Sequence, residues 1–268
     1  MIQFPFLSMK FTTNAFETVK VAIDESHRSS MLFDYLDDSF FRWISLNEKN
    51  GQALNYYKDQ RDLLEWSFVS LVYAYGYYYQ IPSESIDLWV YSDPEKYAVK
   101  YYLDNFILRI YAILERVYKF CDMWFELGLA EKSGRLYHTE NLFDINKMKE
   151  ASKNIAWTKS NLFSELTELR ESYNYKAIKL IRNDLTHNLD QRNSAIKYNK
   201  SNETIEALGP DISIGMSSLD QAKSVLKCLY RVRALEANVL SEDLDNNNVR
   251  RILPSDQDYW IDSDSPLF

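Results

Sequence analysis

Residues 94–127, PEKYAVKYYLDNFILRIYAILERVYKFCDMWFEL, decide the fold. Apolar residues recur at Leu103, Phe106, Ile110, Ile113, Val117, Phe120, Trp124 and Leu127, at spacings that alternate between three and four. That is the period of one α-helical face. A second row, Ile107, Tyr111, Leu114, Tyr118, Cys121 and Phe125, runs beside it. Two adjacent rows make a broad apolar face, so this helix is expected at the centre of a bundle. Asp93 can cap it, Pro94 suits its first helical position, and Gly128 can stop it. Its polar side carries Arg109, Glu115, Arg116, Lys119, Asp122 and Glu126, with Glu115 and Lys119 at pairing distance.

Working outward, Leu54, Tyr57, Arg61, Leu64, Phe68, Leu71, Tyr75 and Tyr78 repeat the helical spacing. A third helix is expected from Asn161 to about residue 187, with Leu162, Leu166, Leu169, Tyr173, Ala177 and Leu180 on one side. A fourth opens at Ser218, which has capping-box spacing to Gln221, and continues through Ala222, Val225, Leu229, Val232 and Val239. Between them AIKY (195–198) and TIEAL (204–208) flank NKSN and are read as a small hairpin near 195–208. Only 6 Gly and 6 Pro punctuate the chain, too few for a turn-rich sandwich or a glycine-looped nucleotide fold. The expected fold is therefore an all-α bundle of long helices, one domain over residues 1–240 with its core in about 50–240. Residues 130–160 are read as an insertion with a short helix, and 241–268 as an acidic C-terminal tail.

The 268 residues carry a net charge of −8, which at first argues against a nucleic-acid partner. Residues 241–268 hold seven acids against two arginines, so −5 of that charge lies in the tail. Residues 170–200 hold seven basic residues against three acids, a net of +4. Local sign outweighs the total. Tail and basic stretch can attract each other, so the tail can mask the basic segment, but a solvated terminus without a regulatory part is the reading that weighs more. Cys121 and Cys228 fall among apolar neighbours, fitting buried free thiols and a reducing, cytoplasmic compartment. The start, MIQFPFLSMKFTT, has neither a basic n-region nor a sustained apolar core, so no signal peptide is expected. Residues 66–83 are uncharged but include five tyrosines, Gly76, Gln80 and Pro82, which suits a buried or interface helix better than a membrane span.

Within the basic stretch lies IRNDLTHN, residues 181–188. Cleaving RNA without a metal needs a base for the 2′-hydroxyl proton, and histidine is the side chain whose ordinary pKa lies near neutrality. It also needs a cation for the phosphorane oxygens, and the arginine fork supplies one that stays protonated. His187 and Arg182 have those properties, with Asn183 and Thr186 able to orient the phosphate or the imidazole. Lys176, Lys179 and Arg192 are the candidate contacts to an RNA backbone. In a continuing helix, residues five apart point about 140° from each other. Either the helix loosens before His187 or the working pair is assembled across a dimer axis.

Long helices ending in Arg182-Asn183-Asp184-Leu185-Thr186-His187 resemble the HEPN superfamily, the higher eukaryotes and prokaryotes nucleotide-binding domains. The resemblance rests on arginine and histidine separated by four residues, with a polar residue directly after the arginine, near the end of a late helix. It implies an all-α fold, a homodimer whose motifs face each other across the two-fold axis, and metal-independent RNA cleavage without a cofactor. It also implies a toxin–antitoxin or phage-defence setting, with an antitoxin or regulatory protein as a further partner. A subgroup paired with nucleotidyltransferase antitoxins carries Tyr two positions after the histidine; Leu189 stands there in this chain, which leaves that pairing in doubt.

A second class of function fits the same residues. Arginine and histidine in a last helical turn also complement the helix macrodipole, as they would in a non-catalytic RNA-binding or dimerisation module. The tyrosine-rich run Tyr73–Tyr79 can stack bases, but aromatics at helical spacing weigh towards packing or a partner surface. His27 and His138 have no partnered pattern, and no zinc spacing is present. Asp122 and Glu115 are the candidates for an acidic group supporting the site from the central helix.

Overall fold

A computed structural model describes residues 9–20, 48–82, 94–129, 142–143, 151–187, 195–199, 204–208 and 216–246. Among them run α1 (Met9–Lys20), α2 (Glu48–Gln80), α3 (Pro94–Trp124), α4 (Ala151–Thr158), α5 (Asn161–Glu171), α6 (Tyr173–His187) and α7 (Met216–Asn246). Strands β1 (Ala195–Asn199) and β2 (Thr204–Leu208) pair antiparallel, Ala195 opposite Leu208 and Asn199 opposite Thr204. Among the described residues the fold is all-α apart from this hairpin. No helix among the described residues is long and apolar enough to cross a membrane.

Helix α3 starts at Pro94, as the sequence marks it. Most of both rows is buried: Phe106, Ile107, Ile110, Phe120 and Cys121 are all 0% exposed, while Tyr111, Trp124 and Phe125 are half-buried. Burying each of the large apolar side chains contributes roughly 1.5–3 kcal/mol. Its end differs from expectation. The left-handed residue that closes the helix is Glu126 (φ 52°), with Gly128 (φ 69°) two residues later. Leu127 N–H donates to the Asp122 carbonyl at 3.0 Å and Glu126 N–H to that of Met123 at 3.3 Å, the bond pair of a Schellman cap. Asp122 Oδ1 also accepts from Leu129 N–H at 3.0 Å, holding the reversed chain against the helix end. With Leu127 fully buried as the apolar anchor, the position before it takes the left-handed turn although it is not glycine.

The third helix is two helices. Ser172 separates α5 from α6: its hydroxyl donates to the Leu169 carbonyl at 2.7 Å and accepts from Tyr175 N–H at 3.2 Å. A serine that bonds both backbone directions ends one helix and caps the next. The apolar row therefore does not run through. Leu162, Leu166 and Leu169 are buried, but Tyr173 is 76% and Leu180 67% exposed. Helix α7 begins at Met216, so Ser218 lies inside its first turn and is not its cap. It continues to Asn246 with Leu240 and Leu244 buried. Residues 247–268 lie outside the described residues.

Contacts divide the chain into two compact units, to both of which α2, α3, α5 and α7 supply residues. The first comprises Met1–Ala22, Arg61–Leu114 and Leu166–Cys228. Phe16 of α1 meets Phe68 of α2 edge to face at 5.6 Å. Arg109 of α3 donates to Ser70 of α2 at 2.5 Å. Tyr73 and Tyr77 of α2 stack on Tyr102 of α3 at 5.0 and 5.8 Å. Tyr75, 0% exposed, donates its hydroxyl to Asp220 of α7 at 2.8 Å. Burial foremost, then the carboxylate, holds that phenol well above its ordinary pKa. For Tyr75 and Tyr77 the packing reading of the tyrosine-rich run is the correct one.

The second unit comprises Ile23–Gln60, Glu115–Glu165 and Leu229–Phe268. Trp157 of α4 is fully buried between Phe125 and Phe163 and donates its indole N–H to the Leu142 carbonyl at 2.9 Å. Arg231 of α7 pairs with Glu165 of α5 at 2.7 Å. A polar cluster is sealed nearby on α2 and α7. Gln60 donates to Glu236 Oε1 at 3.0 Å, while Oε2 has no hydrogen-bond partner among the described residues. Arg233 is engaged elsewhere: its guanidinium lies 3.9 Å over the Tyr57 ring and donates to the Tyr57 carbonyl.

Burial pushes the Glu236 carboxyl up from 4.5 to about 8, against the opposing pull of Gln60 and Arg233. Between those two pH values the unfolded chain is ionised there while the folded chain keeps its proton. The folded state then binds more protons, so its stability falls as pH rises across that window, by at most about 1.4 kcal/mol per pH unit. Glu236→Gln removes the titration at nearly constant shape. The denaturant midpoint of wild type is expected to fall relative to this variant between pH 5 and pH 8. Parallel pH curves for the two proteins would rule out a protonated Glu236.

Candidate functional site

Helix α6 carries the motif, and its two faces are distinct. Tyr175 (8% exposed), Ile178 (0%) and the partly buried Arg182 sit at i, i+3 and i+7, which places them on the inward face. Tyr173 and Leu180, seven apart, line the outward face. Asn174 Nδ2 secures the helix to α7 by donating to Ser224 Oγ at 2.8 Å.

The helix does not loosen before its last residue, His187. Position 187 therefore lies about 140° round the axis from position 182 and about 7.5 Å along it. Seven residues beyond Leu180, it continues the outward line of Tyr173 and Leu180. Arginine and histidine positions diverge within one chain. The early end to the helix that the sequence allows is not what α6 shows.

The Arg182 guanidinium lies 4.7 Å over the ring of Tyr111 from α3. Nη1 of Arg182 donates to Asn183 Oδ1 at 3.3 Å, so Asn183 touches the arginine directly. Tyr175, on the same inward face, brings its ring to 6.4 Å from that of Tyr111, tilted by 31°. Burial foremost, then Tyr175, raises the Tyr111 phenol well above its ordinary pKa, and the arginine charge pulls the other way. The result is a cation held on the face of a neutral ring.

Lys176 and Lys179 are exposed on the same helix. Lys176 Nζ is 2.7 Å from Glu171 Oε2 and holds that carboxyl below its ordinary pKa. Both partners are well exposed, so the pair is screened and a phosphate can compete for the lysine. The side chains of Asp184, Thr186 and His187, and the whole of Arg192, His27 and His138, lie outside the described residues. Of the acids proposed as support, Glu115 pairs with Lys119 at 2.7 Å and Asp122 secures the α3 cap. Each has a local structural role. No group of three metal-ligating side chains exists among the described residues.

Tyr111, which Arg182 meets, and Tyr175, which meets Tyr111, are residues the sequence reading did not connect with the motif. Tyr111 stands in an apolar row and reads as core. The seven-residue spacing from Tyr175 to Arg182 was the available signal, because it puts a ring and a guanidinium on one face.

Comparison with known families adds one finding: the family model described as HEPN_Cthe2314-like HEPN matches residues 58–242, well over half of the 268-residue chain. No curated protein and no solved structure matches.

Proposed function

The chain belongs to the HEPN_Cthe2314-like HEPN family, and from that premise we propose that it is a dimeric, metal-independent endoribonuclease whose site uses Arg182 and His187. The observation that carries the reading is the two-faced helix α6. Arg182 lies inward on Tyr111, and the outward line on which Tyr173 and Leu180 are exposed leads to position 187. A face that leaves Leu180 67% exposed suits burial against a second copy. An isologous contact there brings the two copies of position 187 towards the two-fold axis.

In the reaction, His187 takes the proton of a ribose 2′-hydroxyl, and that oxygen attacks the adjacent phosphorus. The bond to the 5′-oxygen breaks, the leaving oxygen takes a proton, and a 2′,3′-cyclic phosphate remains. Arg182 stabilises the extra charge on the phosphorane oxygens. Lys176, Lys179 and Arg192 supply backbone contacts. A toxin or phage-defence setting, with an antitoxin or regulator as partner, rests on family context. The same exposed line also favours a second reading, a non-catalytic interaction or RNA-binding module.

The test is wild type and Leu180→Glu, incubated with a mixed single-stranded RNA pool in EDTA and weighed by light scattering. Wild type is expected to be a dimer at micromolar concentration, to cut RNA to cyclic-phosphate ends and to leave DNA intact. Leu180→Glu is expected to be a monomer without activity, because a buried unpaired charge opposes the contact. A monomeric wild type, or an active monomeric variant, overturns the dimeric site. A wild type that binds RNA and leaves it whole favours the module.

A further inference from the structure

We propose that Tyr111 is a positioning residue that presents Arg182 to a phosphate: its ring carries the guanidinium face, so that the N–H edge is turned to the ligand. The inference rests on the reading of Arg182 as the phosphate-binding group. It stands on the 4.7 Å separation of guanidinium and ring, and on the inward placement of Arg182 beside Tyr175 and Ile178. A long arginine side chain loses considerable rotamer freedom when it settles on a ligand. A ring that already holds the guanidinium removes part of that cost before the ligand arrives. Cation–π contact engages the flat face, whereas a phosphate is bound through N–H groups in the plane, so both are made at once.

Two neighbours keep the arrangement in register. Tyr175 lies against Tyr111 at 6.4 Å and limits movement of the ring. Asn183 accepts from Nη1 at 3.3 Å and fixes rotation of the guanidinium within its plane. These contacts join α3 to α6, so the position of the arginine is tied to a helix whose Phe106, Ile107 and Ile110 are fully buried.

The experiment measures binding of a 2′-O-methyl RNA oligonucleotide, which lacks the attacking hydroxyl and separates binding from cleavage. Wild type, Tyr111→Phe, Tyr111→Leu, Arg182→Ala and the double variant Tyr111→Leu/Arg182→Ala are compared. Tyr111→Phe keeps the ring and is expected to bind within about twofold of wild type. Tyr111→Leu is expected to bind roughly 3–30-fold more weakly, the range of a partly desolvated cation–π contact. In the Arg182→Ala background the same change is expected to have no further effect, because the ring acts through the arginine. The Arg182 Nε–H resonance, shifted by the ring current in wild type and Tyr111→Phe, is expected to lose that shift in Tyr111→Leu. Tyr111→Met replaces Tyr111→Leu if the latter does not fold. Equal binding by wild type and Tyr111→Leu, additive losses in the double variant, or no oligonucleotide binding by wild type overturns the proposal. Binding that follows this pattern while unmodified RNA stays intact supports the positioning and overturns only the ribonuclease reading.

Discussion

His187→Ala is expected to slow cleavage of single-stranded RNA by about 10²–10⁴-fold, the contribution of one positioned general base. The loss is expected in the chemical step more than in binding, because proton removal matters only as the transition state is approached. Affinity for a non-cleavable oligonucleotide should therefore stay near that of wild type. The change is mild for the fold: position 187 is the last residue of α6, and alanine is a strong helix former. Helical signal and dimeric mass are expected to be those of wild type. The measurement is a time course in EDTA with both proteins prepared identically. Equal rates would identify a contaminating nuclease and end the enzymatic reading.

The parts of the fold that are legible in the sequence are those where a period persists. The double row of α3 is buried almost as read, because 31 residues of uninterrupted helix leave its faces nowhere to turn. The hairpin is legible because two short β-prone runs flank a turn-forming NKSN. Where the reading failed, a local hydrogen bond overrode the period. Ser172 bonds backward to Leu169 and forward to Tyr175, so the register of α5 is not carried into α6. That single residue explains why Tyr173 and Leu180, which continue the apolar row on paper, are exposed while Tyr175 and Ile178 are buried. It also sets which motif positions face inward. The candidate site was read from residue types and spacing alone. Its support was not, because the partner of Arg182 is Tyr111, 71 positions away on a helix whose aromatics otherwise read as core.

Arg182→Ala is expected to lower the cleavage rate by about 10²–10³-fold, the effect of removing one preorganised donor from the developing charge. Arg182→Lys is expected to recover only part of it, since an ammonium has neither the fork for two phosphate oxygens nor the delocalised, planar charge that sits over Tyr111 in wild type. The two variants also test how the site is assembled. Positions 182 and 187 diverge by about 140° on one continuous helix. If the pair works across the two-fold axis, each site takes its arginine from one chain and its histidine from the other. A heterodimer of Arg182→Ala and His187→Ala subunits then holds one site with both residues intact and one with neither. Mixing and reassembling the two inactive proteins in equal amounts is expected to restore roughly a quarter of wild-type activity, because half the dimers are mixed and each has one working site. If each chain uses its own pair, every site in the mixture lacks one residue and activity stays at the level of the separate variants. Absence of recovery, with subunit exchange verified by mass, would therefore place both residues in one chain and rule out the composite site.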